Sequence, residues 1–332
     1  PAALPQKGKS MIPSQWYPIY ESSRLGARHP IGLKRLGQDL VLWRGRDTGP
    51  VAMPDRCPHR SASLSRGSVR DGCIQCPYHG FRWNARGECV LIPVNGADAP
   101  IPAGFEAHPV PLREAHGLIW IWHGNPIEVS AEIPWLEAAA WENGSKFTTS
   151  FEIDVSYLRV MENMGDFFHF PFVHRRWVPG AGTRISNFDA HIENEIVKLS
   201  GTLSPEVGKH WYNYEYTLRA ELRLPCIARV EEAEKFHLLL VATPIDRDRT
   251  WIWLRYSEGY VPRWLGGSML ARILAWLDVN PVFRWGDVPT LRSQRLDDPG
   301  DISHYHLVHA DHGSALWFGL RKRAIEENQH QD

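Results

Sequence analysis

The chain has 332 residues, 43% of them hydrophobic, and a formal net charge of −1. At about 100–200 residues per domain it suits two domains, each with its own core. The near-neutral balance without a long basic stretch argues against nucleic acid as a partner. No apolar run reaches the roughly 18 residues that span a bilayer, and the 5 cysteines do not make a disulfide scaffold in a chain of this size. The opening run from Pro1 to Ser10 lacks the apolar core of a secretion signal, so a cytoplasmic enzyme is the expectation.

From Trp16 to His123 short apolar runs alternate with turn signals. Leu40–Trp43, Val51–Met53, Cys89–Ile92 and Leu118–Trp122 are punctuated by Gly49-Pro50, Asp71-Gly72 and Asn95-Gly96, which predicts an all-β unit. Asn125–Trp135, with Pro126 and Pro134, reads as a linker. The second half predicts a strand at Phe147–Asp154 and a helix at Tyr157–Phe170. Strands follow at Phe188–Ser200, Trp211–Leu224, Phe236–Thr243 and Thr250–Tyr256, the last two framing the polar turn Asp246–Arg249. Further helices are predicted at Met269–Leu277, Val288–Arg295 and Ser314–Asn328. The expected architecture is α+β, with a β domain over residues 1–124 and a sheet packed on helices over 125–332.

The first constellation is Cys57-Pro58-His59, followed after 16 residues by Cys76-Pro77-Tyr78-His79. Each tight loop offers one thiolate and one imidazole. Zinc accepts such a set in a tetrahedral site, and a Rieske cluster takes two Cys on one iron and two His on the other. The cluster is favoured because each loop gives each iron one ligand of its kind, and because no finger helix follows. Gly80 permits the close backbone approach that amide–sulfide hydrogen bonds require. Cys73, Cys89 and Cys226 read as ordinary thiols, although Cys73-x2-Cys76 is also a zinc-like spacing.

These residues resemble the Rieske ferredoxin signature. The wider run Asp55–Gly87 resembles the Rieske domain of the Rieske non-haem iron oxygenases. Imidazole ligands raise the potential of such centres to about −150 to +300 mV, which suits delivery of electrons to an oxygen-activating iron.

The second constellation is Asn163, Asp166 and His169 at steps of three, with His174 five beyond. Five residues turn an ideal helix roughly 140° past a full turn, so two imidazoles meet at one metal only where the helix breaks, and Pro171 supplies a cause. The run resembles the N-x-x-D-x-x-H-x4-H segment of the same family. The resemblance implies His169 and His174 as ligands of a mononuclear Fe(II), completed by one carboxylate. Asp287 is the leading candidate. Family members often carry Glu-Asp with Gln seven residues on; here Gln294 is in place and Gly286 replaces the Glu. Asp297, Asp298 and Asp301 stand behind it. Asp166 is implied as a bridge from His169 to a Rieske histidine, by position His79, of an adjacent subunit, orienting the imidazole. Asn163 is a supporting residue beside the same site. His304, His306, His309 and His312 crowd a turn-rich segment and read as partly solvated rather than as a metal site.

The resemblance implies a helix-grip catalytic domain, a homotrimer of the short α3 type, and two cofactors, a [2Fe–2S] Rieske cluster and Fe(II). Electrons come from NAD(P)H only through a separate ferredoxin or flavin reductase. The implied reaction is hydroxylation or oxidative demethylation of a small organic substrate with O2. Length favours this over cis-dihydroxylation by a ring dioxygenase. A non-catalytic Rieske electron carrier is the reading of another class, against which His169, His174 and an acidic partner speak.

Overall fold

Alternating apolar and polar runs, cut by Gly and Pro, leave the first third of the chain no length for helices, and it folds as strands. The computed structural model describes residues 11–136, 145–176, 182–205, 215–232, 236–294 and 300–329. Two units emerge. One runs to Ile133 and includes Ile245–Arg247; the other comprises Pro134–Pro244 and Asp248–Asp332.

The first unit holds β1 (Gln15–Glu21), β2 (Ile31–Arg35), β3 (Gln38–Gly45), β4 (Gly49–Pro54), β5 (Ser68–Arg70), β6 (Cys73–Gln75), β7 (Arg82–Trp83), β8 (Cys89–Leu91), β9 (Leu112–Ala115) and β10 (Leu118–His123). They form antiparallel sheets in the orders β1-β10-β9, β2-β3-β4 and β5-β6-β7-β8. β10 is buried along its whole length, which is why Leu118–Trp122 is a continuous apolar run. Val41, Trp43, Met53, Leu64, Ile74 and Trp83 pack in one core with Cys57 and Cys76. Each such side chain taken fully from water contributes on the order of 1.5–3 kcal/mol, so the cysteine loops stand on a firm base. Asn125–Ile133 is not a free linker: the Trp16 and Trp122 indoles donate to the carbonyls of Ser130 and Asn125 at 3.0 and 2.9 Å. Proline and polar content mimicked a linker there, while one of the two anchoring donors, Trp16, lies far away in sequence.

The second unit holds β11 (Ser145–Ile153), α1 (Tyr157–Met164), α2 (Phe170–Val173), β12 (Arg184–Glu193), β13 (Ile196–Ser204), β14 (Tyr216–Arg223), β15 (Ile227–Glu232), β16 (Phe236–Pro244), β17 (Thr250–Glu258), α3 (Gly267–Leu277), α4 (Val288–Ser293) and α5 (His312–Gln329). Its strands make one seven-stranded antiparallel sheet in the order β11-β17-β16-β15-β14-β13-β12. Helix α1 packs on β14–β16, α3 on β11 and β17, and α5 on β12 and β13. Trp251, Ile252, Trp253 and Leu254 are all buried on β17, as a strand covered on both faces requires. The chain is thus α+β, with an N-terminal β unit and a large antiparallel sheet carrying helices.

Four departures from the sequence reading have local causes. Phe188–Ser200 is not one strand but parts of the hairpin β12–β13, turned at Asn194 and Glu195, both at positive φ (50° and 61°); Asn favours that region, but Glu gives no warning. The helix read as Tyr157–Phe170 stops at Met164, where the Gly165 amide caps it. Strand β15 was hidden because Arg229 and Glu231 interrupt its apolar positions. Asp278–Asp287 is helical with wide π-type turns despite Pro281, a form used at functional sites. The predicted segments at Trp211–Tyr214 and Arg295 lie outside the described residues. Among the described residues no helix is long and apolar enough to cross a membrane.

Candidate functional site

Two loops of the first unit repeat one hydrogen-bond pattern. Cys57 N–H donates to Ala62 O at 2.8 Å and Ser61 N–H to Cys57 O at 2.8 Å; Cys76 N–H donates to Phe81 O at 2.8 Å and Gly80 N–H to Cys76 O at 3.2 Å. The fourth residue after each cysteine is left-handed, Ser61 at φ 60° and Gly80 at φ 73°. At Gly80 the conformation suits glycine, and an added Cβ would meet Pro93 Cγ at 3.1 Å.

The loops bury both thiols, each 2% exposed, and turn the imidazoles outward, His59 half-buried and His79 exposed. The two rings lie 4.7 Å apart, and His59 stacks flat on Phe81 at 4.5 Å. Burial pushes the Cys57 thiol up to about 11, while backbone amides of His59 and Arg60 pull the other way. Those amides are donors aimed at sulfur. Burial, then the nearby His79 and Arg60 charges, lowers the His59 pKa, which keeps the imidazole neutral and able to ligate.

A tetrahedral zinc ion needs all four ligand atoms at about 2.0–2.3 Å from one point. Among the described residues, the one set of three or more Cys, His, Asp or Glu side chains whose ligand atoms lie within 4.8 Å of one another is elsewhere. The Cys–His loops therefore suit a centre with more than one metal ion. Cys73 stands apart from it, its Sγ directed to Asp71 O at 3.8 Å.

That other set is His169, His174 and Asp287. His169 precedes the single turn of α2 and His174 follows it. The break that frees His169 lies at Gly165, not at Pro171; Pro171 falls in the first turn of α2, where its missing N–H is harmless. Asp287 ends the wide-turned helix and is 5% exposed at its side chain. Its Oδ1 lies 3.2 Å from His174 Nε2 and 3.5 Å from His169 Nε2. Ligands bonded at about 2.1 Å and at right angles stand roughly 3.0 Å apart, so the three atoms fit the edges of one coordination sphere. Gly286 lies against this histidine: a Cβ there would sit 3.3 Å from His174 Nδ1.

Asp166 and Asn163 brace the set. Asp166 Oδ1 accepts from Phe168 N–H at 2.6 Å, and its Oδ2 stands 3.4 Å from His169 Nδ1. Burial works against a proton on His169, but Asp166 and Asp287 outweigh it and raise the pKa. Asn163 Nδ2 lies 3.5 Å from both His169 Nε2 and Asp287 Oδ1. Among the fallback carboxylates, Asp301 caps a turn through Ser303 N–H at 2.9 Å, and Asp297 and Asp298 lie outside the described residues. His304 and His306 line a cavity of about 390 Å³ on the polar side of the triad, and His309 packs on Phe188; the four histidines form no metal-holding group among the described residues.

A second cavity, about 120 Å³, touches the triad from the sheet side and is lined largely by Leu218, Val230, Phe236, Leu238, Leu240, Leu254 and Phe283. Asp278 also lines it. Sequence reading missed this residue, although a lone acid in the apolar run Leu274–Phe283 was a signal.

The Rieske [2Fe–2S] domain family matches residues 15–106. Aminopyrrolnitrin oxygenase PrnD of Pseudomonas fluorescens is 33% identical over 169 residues, 49% of this chain and 46% of that protein. The putative toluene-4-sulfonate monooxygenase system iron-sulfur subunit TsaM2 of Comamonas testosteroni is 29% identical over 284 residues, 75% of this chain and 80% of that one. The chain thus spans less than half of PrnD and most of TsaM2. Dicamba monooxygenase bound to 3,6-dichlorosalicylic acid shares the fold at a TM-score of 0.78 and 19% identity, covering 96% of this chain and 99% of that one. The chain carries a Rieske [2Fe–2S] domain and, along nearly its whole length, shares the fold of dicamba monooxygenase.

Proposed function

We propose that the protein is an oxygenase component that hydroxylates or oxidatively demethylates a small, largely apolar organic substrate, with electrons from a separate ferredoxin or flavin reductase. One observation carries this reading: a two-histidine, one-carboxylate set, with His174 and Asp287 buried and His169 partly so, stands beside an apolar cavity in a chain that also bears a Rieske domain.

Cys57, His59, Cys76 and His79 would hold the [2Fe–2S] cluster, and His169, His174 and Asp287 the Fe(II). When bound, the cluster supplies single electrons and the ferrous ion supplies open positions for O2 and substrate. The protein's own residues set the conditions. The outward imidazoles of His59 and His79 give electrons a short exit, while buried cysteines keep water from sulfur. Asp166 holds the His169 tautomer by facing Nδ1, which leaves Nε2 toward Asp287. In the family's manner Asp166 links His169 to His79 of a neighbouring subunit, which makes the working form an oligomer, a homotrimer in this reading. Asn163 limits rotation of His169 and Asp287. The apolar wall excludes water from the reacting face.

The test is oxygen consumption with NADH. Protein and NADH alone should show no uptake; a surrogate ferredoxin and reductase should start it, and one labelled oxygen atom should enter the product. Uptake without any reductase, or two labelled atoms in a cis-diol, overturns the reading. Dihydroxylation is the second outcome that the same geometry accommodates.

A further inference from the structure

Helix α3 turns its largest apolar side chains away from the core. The residues it buries against β11 and β17 are small, Gly267, Ala271 and Ala275, while Met269, Ile273 and Trp276, spaced by four and three, share one outer stripe. A helix that served only the core would show the reverse. Trp264 and Leu265 stand just before it, and Trp285 follows on the wide-turned helix. These side chains are exposed, Trp264 at 82%, Met269 at 69% and Trp276 at 57%, and they make up six of the 15 large apolar residues exposed among the described residues. Scattered singly, such residues need no explanation; gathered on one stretch of chain they mark a contact surface.

The charge of the stretch narrows the partner. From Gly259 to Gly286 it holds three arginines, Arg263, Arg272 and Arg284, and one acid, Asp278. Asp278 is half-buried and accepts a hydrogen bond from the Tyr256 hydroxyl. Arg272 and Arg284 are exposed, with guanidiniums over the rings of Phe147 and Phe151, 5.4 and 4.6 Å from the centroids, and neither has a carboxylate partner among the described residues. Their stems cover apolar surface and their charge stays at its rim. Tryptophan suits a boundary between water and lipid, where one end of the ring is wet and the other is not. A second copy of this face would meet it with like charges and no exposed acid.

We infer that this face is a peripheral docking surface for an anionic phospholipid bilayer: Trp264, Met269, Ile273 and Trp276 enter the boundary of the acyl chains, and Arg272 and Arg284 meet the headgroups. Helices that lie in a lipid interface combine these two parts, an apolar face set into the boundary and cations beside it. Helix α3 runs directly into Asp278–Asp287, whose Val282 and Phe283 line the apolar cavity, so the element that walls the cavity is the one brought to the lipid. The docking itself does not depend on the oxygenase reading.

The test is cosedimentation of the purified protein with vesicles of phosphatidylcholine alone and of phosphatidylcholine mixed with phosphatidylglycerol. Binding to the anionic vesicles should be about tenfold or more tighter, as two cations at a charged surface provide, and should weaken in high salt. Trp264→Ser with Trp276→Ser should lose about tenfold or more on the anionic vesicles. Arg272→Gln with Arg284→Gln should bring the two lipids within about twofold. Lipids brominated on their acyl chains should quench the tryptophan emission of the parent protein; this measurement needs no variant and decides the matter if the variants do not fold. No binding to either vesicle, no quenching, or binding that survives the two tryptophan changes overturns the inference. So does equal affinity for the two lipids, and so does a particle mass by light scattering that falls in the tryptophan variant, since a second copy would then cover the face.

Discussion

Asp166 shows how one side chain serves two ends. Its Oδ1 is fixed by a backbone amide 2.6 Å away, so its Oδ2 has a defined direction, 3.4 Å from His169 Nδ1. Replacing it by Asn keeps the size and removes the charge that orients the imidazole. Asp166→Asn should retain both metal centres by absorption and iron analysis, yet lose about 10–100-fold in reductase-driven oxygen uptake; full uptake would show that the carboxylate is only a turn cap. Residues with an obligatory chemistry were the ones legible in the sequence: His169, His174 and Asp287 are named by what a metal needs. Asp278 was not, because a lone acid in an apolar run acquires meaning only when Tyr256 and the cavity wall are placed around it. Gly286 looked like a departure from the family pattern; in the fold it lies against His174, where an added Cβ would stand 3.3 Å from Nδ1, a tight contact that a shift of a few tenths of an ångström relieves.

Among the elements, β10 carries a testable cost. It is buried throughout, and its last residue, His123, is 3% exposed against Tyr17 at 5.9 Å. Burial lowers the His123 pKa from 6.5 to about 4. The folded chain thus keeps this imidazole neutral while the unfolded chain takes up a proton below pH 6.5. Stability is lost as pH falls from about 6.5 to about 4, by on the order of 3 kcal/mol, and levels off below. His123→Phe should flatten that part of the pH profile of denaturant unfolding relative to the parent; parallel profiles would contradict it. Elements that are apolar runs bounded by turn signals were readable, β10 and β17 among them. The β12–β13 turn was not, since Glu195 adopts a left-handed conformation that its residue type does not announce. Nor was Asp278–Asp287, where Pro281 and Gly286 argue locally against a helix that packing imposes.

At the scale of the molecule, two units divide the chemistry. The first presents a pair of matching Cys–His loops; the second gathers two imidazoles and a carboxylate from parts of the chain more than a hundred residues apart, as His174 and Asp287 are. The sheet and its helices make that gathering possible, and spacing alone could only nominate the partners. The division is tested by counting metal. Anaerobically purified protein should contain about three iron and two acid-labile sulfide per chain, and Asp287→Ala should fall to about two iron with sulfide unchanged and the visible spectrum still bleached by dithionite. Iron that stays at three in that variant, or a parent protein without sulfide, would contradict the account.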